Sequence, residues 1–150
     1  MKKGDKNNSK NKDEALVGVL RNNGYKVTQG RISILEVFSK YHIPLNAESV
    51  SGYLKNKRVD VATIYRTLKS FEEKGILRRV DLRNDSVCFE MNDSHHHHHL
   101  VCKKCGDIED VDVCEIDRLS KIALKNSLKF KLIIDHSLEF FGVCKTCNKV

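Results

Sequence analysis

The sequence turns on one stretch, His95-His96-His97-His98-His99-Leu100-Val101-Cys102-Lys103-Lys104-Cys105-Gly106. Five imidazoles run directly into a Cys-x-x-Cys pair, and a second such pair, Cys144 and Cys147, lies about 40 residues further on. Histidine and cysteine at these spacings are ligands for borderline and soft metal ions. If both pairs share one ion, the last residues of the C-terminal part must return to its first strand. The histidine run is internal and abuts Cys102, so it reads as part of the fold rather than as a purification tag.

The chain has six cysteines, and a disulfide framework is the competing explanation. A cytosolic location argues against it, because thiols stay reduced there and paired Cys-x-x-Cys units read as metal ligands. That location is the expectation. No apolar run approaches the ~20 residues of a membrane span, and the Lys/Asn-rich start has no apolar core of a secretory signal. At 150 residues, with 40% hydrophobic and 31% charged side chains, the chain makes one ordinary soluble domain or two small ones.

The net charge of +7 is unevenly placed. Residues 1–92 hold 18 Lys and Arg against 11 Asp and Glu, whereas residues 93–150 hold nine of each. The excess positive charge in the first part predicts an anionic partner there, nucleic acid first.

Taken in order, residues 1–12 are too polar to bury surface and read as a flexible basic arm. A first helix carries the stripe Leu16, Val19 and Leu20 and ends at Asn22-Asn23-Gly24. Thr28, Asn46 and Asp60 are expected N-caps of three further helices. The last of these runs from Val61 to about Lys74 and stops at Gly75. Val61, Ile64, Leu68 and Phe71 share its inner face, while Ala62, Thr63, Arg66, Lys69 and Ser70 face out with Tyr65 at the border. Strands over 76–82 and 87–91, joined by a turn at 83–86, complete a winged helix-turn-helix over residues 13–92. In that plan the last helix enters the DNA major groove. The plainer alternative is a helical bundle with one amphipathic helix.

A polar stretch, 91–94, marks the boundary to a C-terminal α/β domain, 93–150. Short strands are expected at 98–101 and 107–111, then a helix striped by Ile116, Leu119 and Ala123. Alternating Phe130, Leu132, Ile134, His136, Leu138 and Phe140 predict an extended segment or hairpin. The fold class is therefore α+β.

Cys102, Cys105, Cys144 and Cys147 form a four-thiolate set suited to tetrahedral structural zinc. A closed site leaves no position for water, so no enzymatic activity is expected. If residues 95–99 are extended, His95, His97 and His99 point one way and His96 and His98 the other. Glu90 is the candidate to complete the odd set. His136 with Glu115 or Asp117 is the candidate to complete the even set.

These residues resemble the ferric uptake regulator family of bacterial metal-dependent repressors over about residues 24–147. The marks are Lys26-Val27-Thr28-x-x-Arg31, Ala47-Glu48, Val61-Ala62-Thr63-Ile64-Tyr65-Arg66-Thr67-Leu68 and Glu73-x-Gly75-Ile76. They continue with His97-His98-His99-Leu100-Val101-Cys102-x-x-Cys105-Gly106 and His136-x-Leu138-x-x-x-Gly142-x-Cys144. The resemblance implies a cytoplasmic homodimer that pairs through its C-terminal domains and binds a palindromic double-stranded DNA operator. It implies that Tyr65 contacts bases, that Thr63 and Arg66 lie on the recognition helix, and that Lys26 and Arg31 lie near the backbone or minor groove.

The resemblance further implies a regulatory site of Glu90, His97 and His99. Pro44 fills the aligned position of its fourth ligand, and His42, two residues earlier, is the substitute. A second site matches His96, Asp117 and His136, with His98 where iron-type members carry Asp; Asp110 matches a carboxylate of peroxide-sensing members. The implied metals are structural zinc and regulatory iron(II) or zinc, with manganese a further option. Imidazole in place of carboxylate moves a site toward zinc, and Cys88 is the candidate extra ligand of a zinc-responsive member. Zinc-uptake and peroxide-responsive regulators are the alternatives within the family. Outside it stand a metal storage or delivery protein and, more remotely, a thiol oxidoreductase.

Overall fold

The structure, a computed structural model, describes residues 5–55, 59–82, 86–92, 97–112, 115–134 and 136–148, with side chains from Asp13 onward. His95, His96, Cys114, the tip of the 83–86 turn, part of the 91–94 boundary and residues 1–4 lie outside the described residues. The chain divides into two units, Met1–Asn92 and Asp93–Val150.

In the first unit four helices precede a two-stranded antiparallel hairpin: α1 (Asp5–Asn22), α2 (Gln29–Tyr41), α3 (Ala47–Tyr53), α4 (Val61–Glu73), β1 (Leu77–Val80) and β2 (Cys88–Met91). Helix α1 starts at Asp5, inside the stretch read from sequence as an arm. Nothing between Asp5 and the apolar stripe at Leu16 is Gly or Pro, so no local signal stops the helix from extending outward. The three expected caps have the backbone and the hydrogen bond of an N-cap. Thr28 accepts from the Arg31 N–H, Asn46 from Ser49 and Asp60 from Thr63. Each side chain satisfies a helix-start donor that the helix itself leaves open.

Helix α4 ends as its sequence dictates. Gly75 takes φ +69°, a region that costs residues with a Cβ. Its N–H then reaches Glu72 O at 2.9 Å, and the Ile76 N–H reaches Phe71 O at 2.9 Å. This paired closure satisfies two of the last carbonyls of the helix and turns the chain into β1.

The core of this unit gathers Leu16 and Leu20 from α1, Ile34, Leu35 and Phe38 from α2, Val50 from α3 and Ile64, Leu68 and Phe71 from α4. Leu77 and Phe89 from the hairpin close it. Val61, expected inward, is 45% exposed, because it opens the helix ahead of the buried turn. An isolated pair, Leu45 with Phe89, adds two backbone hydrogen bonds of 2.8 and 2.9 Å to the outer side of β2. The loop before α3 is thereby tied to the wing.

The second unit is a three-stranded sheet in the order β4-β3-β5, with β3 at His98–Cys102, β4 at Ile108–Val111 and β5 at Glu139–Gly142. The β3–β4 pair is antiparallel and the β3–β5 pair is parallel. Helix α5 (Ile116–Lys125) precedes β5 and has no buried residue. Among the described residues of the alternating stretch 130–140, strand begins at Glu139. Phe130 is 71% exposed and Ile134 92% exposed. Alternation decides which residues share a face, but a strand also needs a neighbour for its backbone groups; among the described residues β3 supplies one to residues 139–142. Among the described residues no helix is long and apolar enough to cross a membrane.

Candidate metal centres and nucleic-acid interface

The four sulfur atoms of Cys102, Cys105, Cys144 and Cys147 all lie within 4.8 Å of one another. Two turns build this cluster. After β3 the Gly106 N–H bonds to Cys102 O at 2.9 Å and the Cys102 N–H to Asp107 O at 2.8 Å, with Gly106 at φ +77°. After β5 the Cys147 and Asn148 N–H groups both reach Cys144 O, at 3.0 and 2.9 Å. Because β3 and β5 run parallel and adjacent, the two turns leave the sheet at the same end.

A zinc ion held tetrahedrally by thiolates at about 2.3 Å needs sulfurs about 3.8 Å apart. Cys105 Sγ and Cys144 Sγ stand 3.7 Å apart. The donor set and its spacing fit structural zinc.

Crowding also divides the thiols electrostatically. The Cys144 N–H, 3.3 Å from Cys102 Sγ, and the Cys105 N–H favour the Cys102 thiolate and pull its pKa down to about 6. Cys147 is pushed up to about 12 by its hydrogen bonds to Cys105 and Cys144. A divalent cation among the four sulfurs removes this conflict, because it stabilises all four in the anionic form.

Strand β3 carries imidazoles to both faces of the sheet. His97 and His99 lie on one side with ring centroids 5.2 Å apart, and His99 Nε2 is 3.6 Å from Asp110 Oδ1, its register partner on β4. On the other side the His98 ring lies 5.6 Å from that of His136. His98 and His99 are both buried.

Asp117 is exposed in the first turn of α5. Among the described residues no third His, Cys, Asp or Glu joins His98 and His136 in a set whose ligand atoms all lie within 4.8 Å. Glu115 lies 3.5 Å from Arg118 instead. In the first unit, Glu90 is buried in β2 and its carboxylate meets Arg78 Nε at 2.6 Å. His42 closes α2 in the left-handed conformation, φ 47°, and is exposed. Cys88 is buried at the start of β2.

The exposed face of α4 is held by its own polar contacts. Thr63 Oγ1 donates to Asp60 Oδ2 at 2.6 Å and accepts from Arg66 Nη2 at 3.2 Å. Asp60 therefore keeps its carboxyl below the usual aspartate range, the Thr63 hydroxyl being the main cause. Arg31, Arg66, Thr63, Thr67, Ser70 and Tyr25 line one open groove. Tyr25 connects its two sides: its hydroxyl donates to Ser70 O at 2.7 Å, and its ring lies 4.9 Å from the Arg31 guanidinium. Arg31 Nη1 also donates to Lys26 O at 2.8 Å. Two guanidiniums beside a polar helix face suit phosphate oxygens. Sequence reasoning missed Tyr25 and Arg78, since neither carries a motif of its own.

The model of the ferric uptake regulator family matches residues 22–141. The ferric uptake regulation protein of Neisseria gonorrhoeae is 39% identical over 136 residues, covering 88% of this chain and 92% of that protein. The structure of the ferric uptake regulator from Francisella tularensis with iron aligns with TM-score 0.73 at 36% identity, over 84% of this chain and 96% of that one. The Pseudomonas aeruginosa regulator with manganese aligns with TM-score 0.67 at 30% identity, over 87% and 98%. With its winged helix, its four-cysteine cluster and its imidazole-bearing strand, this chain belongs to the ferric uptake regulator family and is a metal-responsive transcriptional repressor.

Proposed function

We propose that this chain silences metal-uptake genes in the cytoplasm, as a homodimer on a palindromic operator, when its regulatory sites fill with iron(II). The observation that carries the reading is the placement of buried imidazoles on both faces of the strand that leads into the four-thiolate cluster. Glu90, His97 and His99, with His42, are assigned to the regulatory ion. His96, His98, Asp117 and His136 are assigned to the second. Tyr65 reads bases, Thr63 and Arg66 support it from the same helix, and Lys26 and Arg31 contact the backbone or minor groove. The apolar side chains left exposed on α5 and over 128–134 supply the dimer contact.

One observation favours zinc as the regulatory ion. His98 and His136 offer two imidazoles to the second site, and nitrogen ligands prefer zinc to harder cations. Operator binding by fluorescence anisotropy separates the metals. The protein starts with only its cysteine site filled and is titrated with buffered iron(II) without oxygen, and separately with buffered zinc. Tightening at micromolar free iron, with none at lower free zinc, supports the iron reading. Tightening at far lower free zinc makes the chain a zinc regulator, with Cys88 as the next ligand to test. No response to either metal removes both readings.

A further inference from the structure

One polar contact on the exposed face of α4 has no part in the reading above. The Tyr65 hydroxyl donates a hydrogen bond to Glu48 Oε1. Glu48 lies in the first turn of α3, and Tyr65 lies on α4. The two helices are neighbours, and Ala47 and Val50 of one and Ile64 and Leu68 of the other are buried in the same core. Asn46 anchors the start of α3: its Oδ1 takes the Ser49 N–H at 2.8 Å, and its Nδ2 donates to Ser86 Oγ at 3.0 Å. Both members of the Tyr65–Glu48 pair are exposed, so packing does not account for the contact.

A carboxylate here is unfavourable for affinity. It sits in the unit that holds all the excess positive charge, on the surface meant for phosphates, and it repels them. Its place in the first turn of α3 suits the positive start of that helix; what it can add to DNA binding is selectivity.

A phenol has one donor hydrogen. In this chain that hydrogen is committed to a charged acceptor, the stronger kind of hydrogen bond. Tyr65 is left with an acceptor lone pair and its ring. In the major groove guanine offers acceptors alone, N7 and O6, whereas adenine sets an amino donor beside its N7, cytosine offers an amino donor and thymine sets a methyl beside its O4.

We propose that Glu48 is a specificity-determining residue acting through Tyr65: by holding the phenol's only donor, it disfavours guanine at the base that Tyr65 meets. The remaining carboxylate lone pairs act in the same direction, because acceptor faces acceptor. The same hydrogen bond, as its main effect, raises the Tyr65 phenol and lowers the Glu48 carboxyl from their ordinary values. The proposal rests on α4 entering the major groove, and deepens that reading by naming what sets the choice of base edge.

The test uses the full chain, with zinc at its cysteines and iron(II) added, on a library of randomised duplexes whose bound fraction is sequenced. Glu48→Ala frees the hydroxyl, and guanine at the contacted position rises about tenfold. In a Tyr65→Phe background, which lacks the hydroxyl, adding Glu48→Ala brings no guanine gain over Tyr65→Phe itself. A Glu48→Ala motif identical to wild type overturns the proposal, as does a guanine gain that survives Tyr65→Phe.

A second measurement needs no DNA. In the ultraviolet difference titration of wild type against Tyr65→Phe, the Tyr65 phenol ionises above the ordinary tyrosine range, and it returns to that range in Glu48→Ala. No difference between the two backgrounds means the contact is absent and the proposal falls. A wild type that recovers no motif overturns the DNA-binding reading, and this inference with it, whatever the phenol does.

Discussion

Arg78 Nε lies 2.6 Å from Glu90 Oε1, and the two residues face each other directly across the β1–β2 ladder. The carboxylate is buried while the guanidinium is about one-third exposed. Removing the cation leaves an anion with a lost partner in a poorly hydrated place. Arg78→Met is expected to destabilise the protein by about 2 kcal/mol in urea unfolding. If Glu90 also ligates the regulatory ion, Arg78 competes with that ion for the carboxylate. The same variant then binds the ion more tightly in a chelator competition. Unchanged affinity would place Glu90 outside the metal site.

The four-thiolate cluster joins residues that follow β3 to residues that follow β5, so metal there closes the second unit. Thiol-free chelation of the ion, or Cys144→Ser, is expected to lower the thermal midpoint by about 10 °C or more. The loss reverses on adding zinc back to the chelated wild type and does not reverse in the variant. Calorimetry with and without chelator reads both.

Asp60 caps α4 through the Thr63 N–H at 2.8 Å and the Thr63 hydroxyl at 2.6 Å. These bonds favour the carboxylate, so its pKa is lower folded than unfolded. A depressed carboxyl contributes stability that is present above the unfolded value and lost as pH falls through the folded one. Asp60→Ala should therefore be less stable than wild type at pH 7. The gap should narrow from the ordinary aspartate range downward. Denaturant melts at several pH values test the narrowing; a gap independent of pH would mean the cap does not act through its charge.

Much of this architecture is legible locally. Thr28, Asn46 and Asp60 announce helix starts because a cap bonds a backbone group three residues away. Gly75 announces a helix end because few other residues take its φ. The cysteine pairs announce their cluster because a tetrahedral ion accepts so few ligand sets. The contacts of Tyr65 with Glu48, Arg78 with Glu90 and Tyr25 with Ser70 span 17, 12 and 45 residues. They depend on how elements pack, which no local pattern encodes. Ala47-Glu48 was visible as a family mark, yet without α4 beside it the carboxylate has no role to read. The 130–140 alternation predicts an extended segment or hairpin but does not say which part pairs as strand, since the pleat is local and the ladder partner is not.

On α4, Arg66 is exposed and linked to Thr63, beside the groove it shares with Arg31. A guanidinium on phosphate acts on every duplex alike. Arg66→Ala is expected to weaken specific and non-specific duplexes together and to reduce the slope of log affinity against log salt by about 1. Tyr65→Ala removes the ring itself and should reduce the ratio of specific to non-specific affinity. Anisotropy titrations at several salt concentrations separate the two. Equal salt slopes for Arg66→Ala and wild type would take Arg66 off the phosphates.

Helix α5 buries nothing, although Ile116, Leu119, Ile122 and Ala123 give it an apolar stripe. Leu119 is 49% exposed and Ile122 47%, and Phe130 and Ile134 further along are more exposed still. Apolar surface of this extent is costly to leave in water and marks an interface. A second copy of the chain is the partner that the palindromic-operator reading requires. Leu119→Asp with Ile122→Asp places two charges in that surface, and sedimentation should then show monomer at concentrations where wild type is dimeric. Operator affinity should fall with it, because one winged helix reads only half a palindrome. A variant that stays dimeric would move the contact off α5 and onto the 128–134 stretch, where Phe130→Asp is the corresponding change.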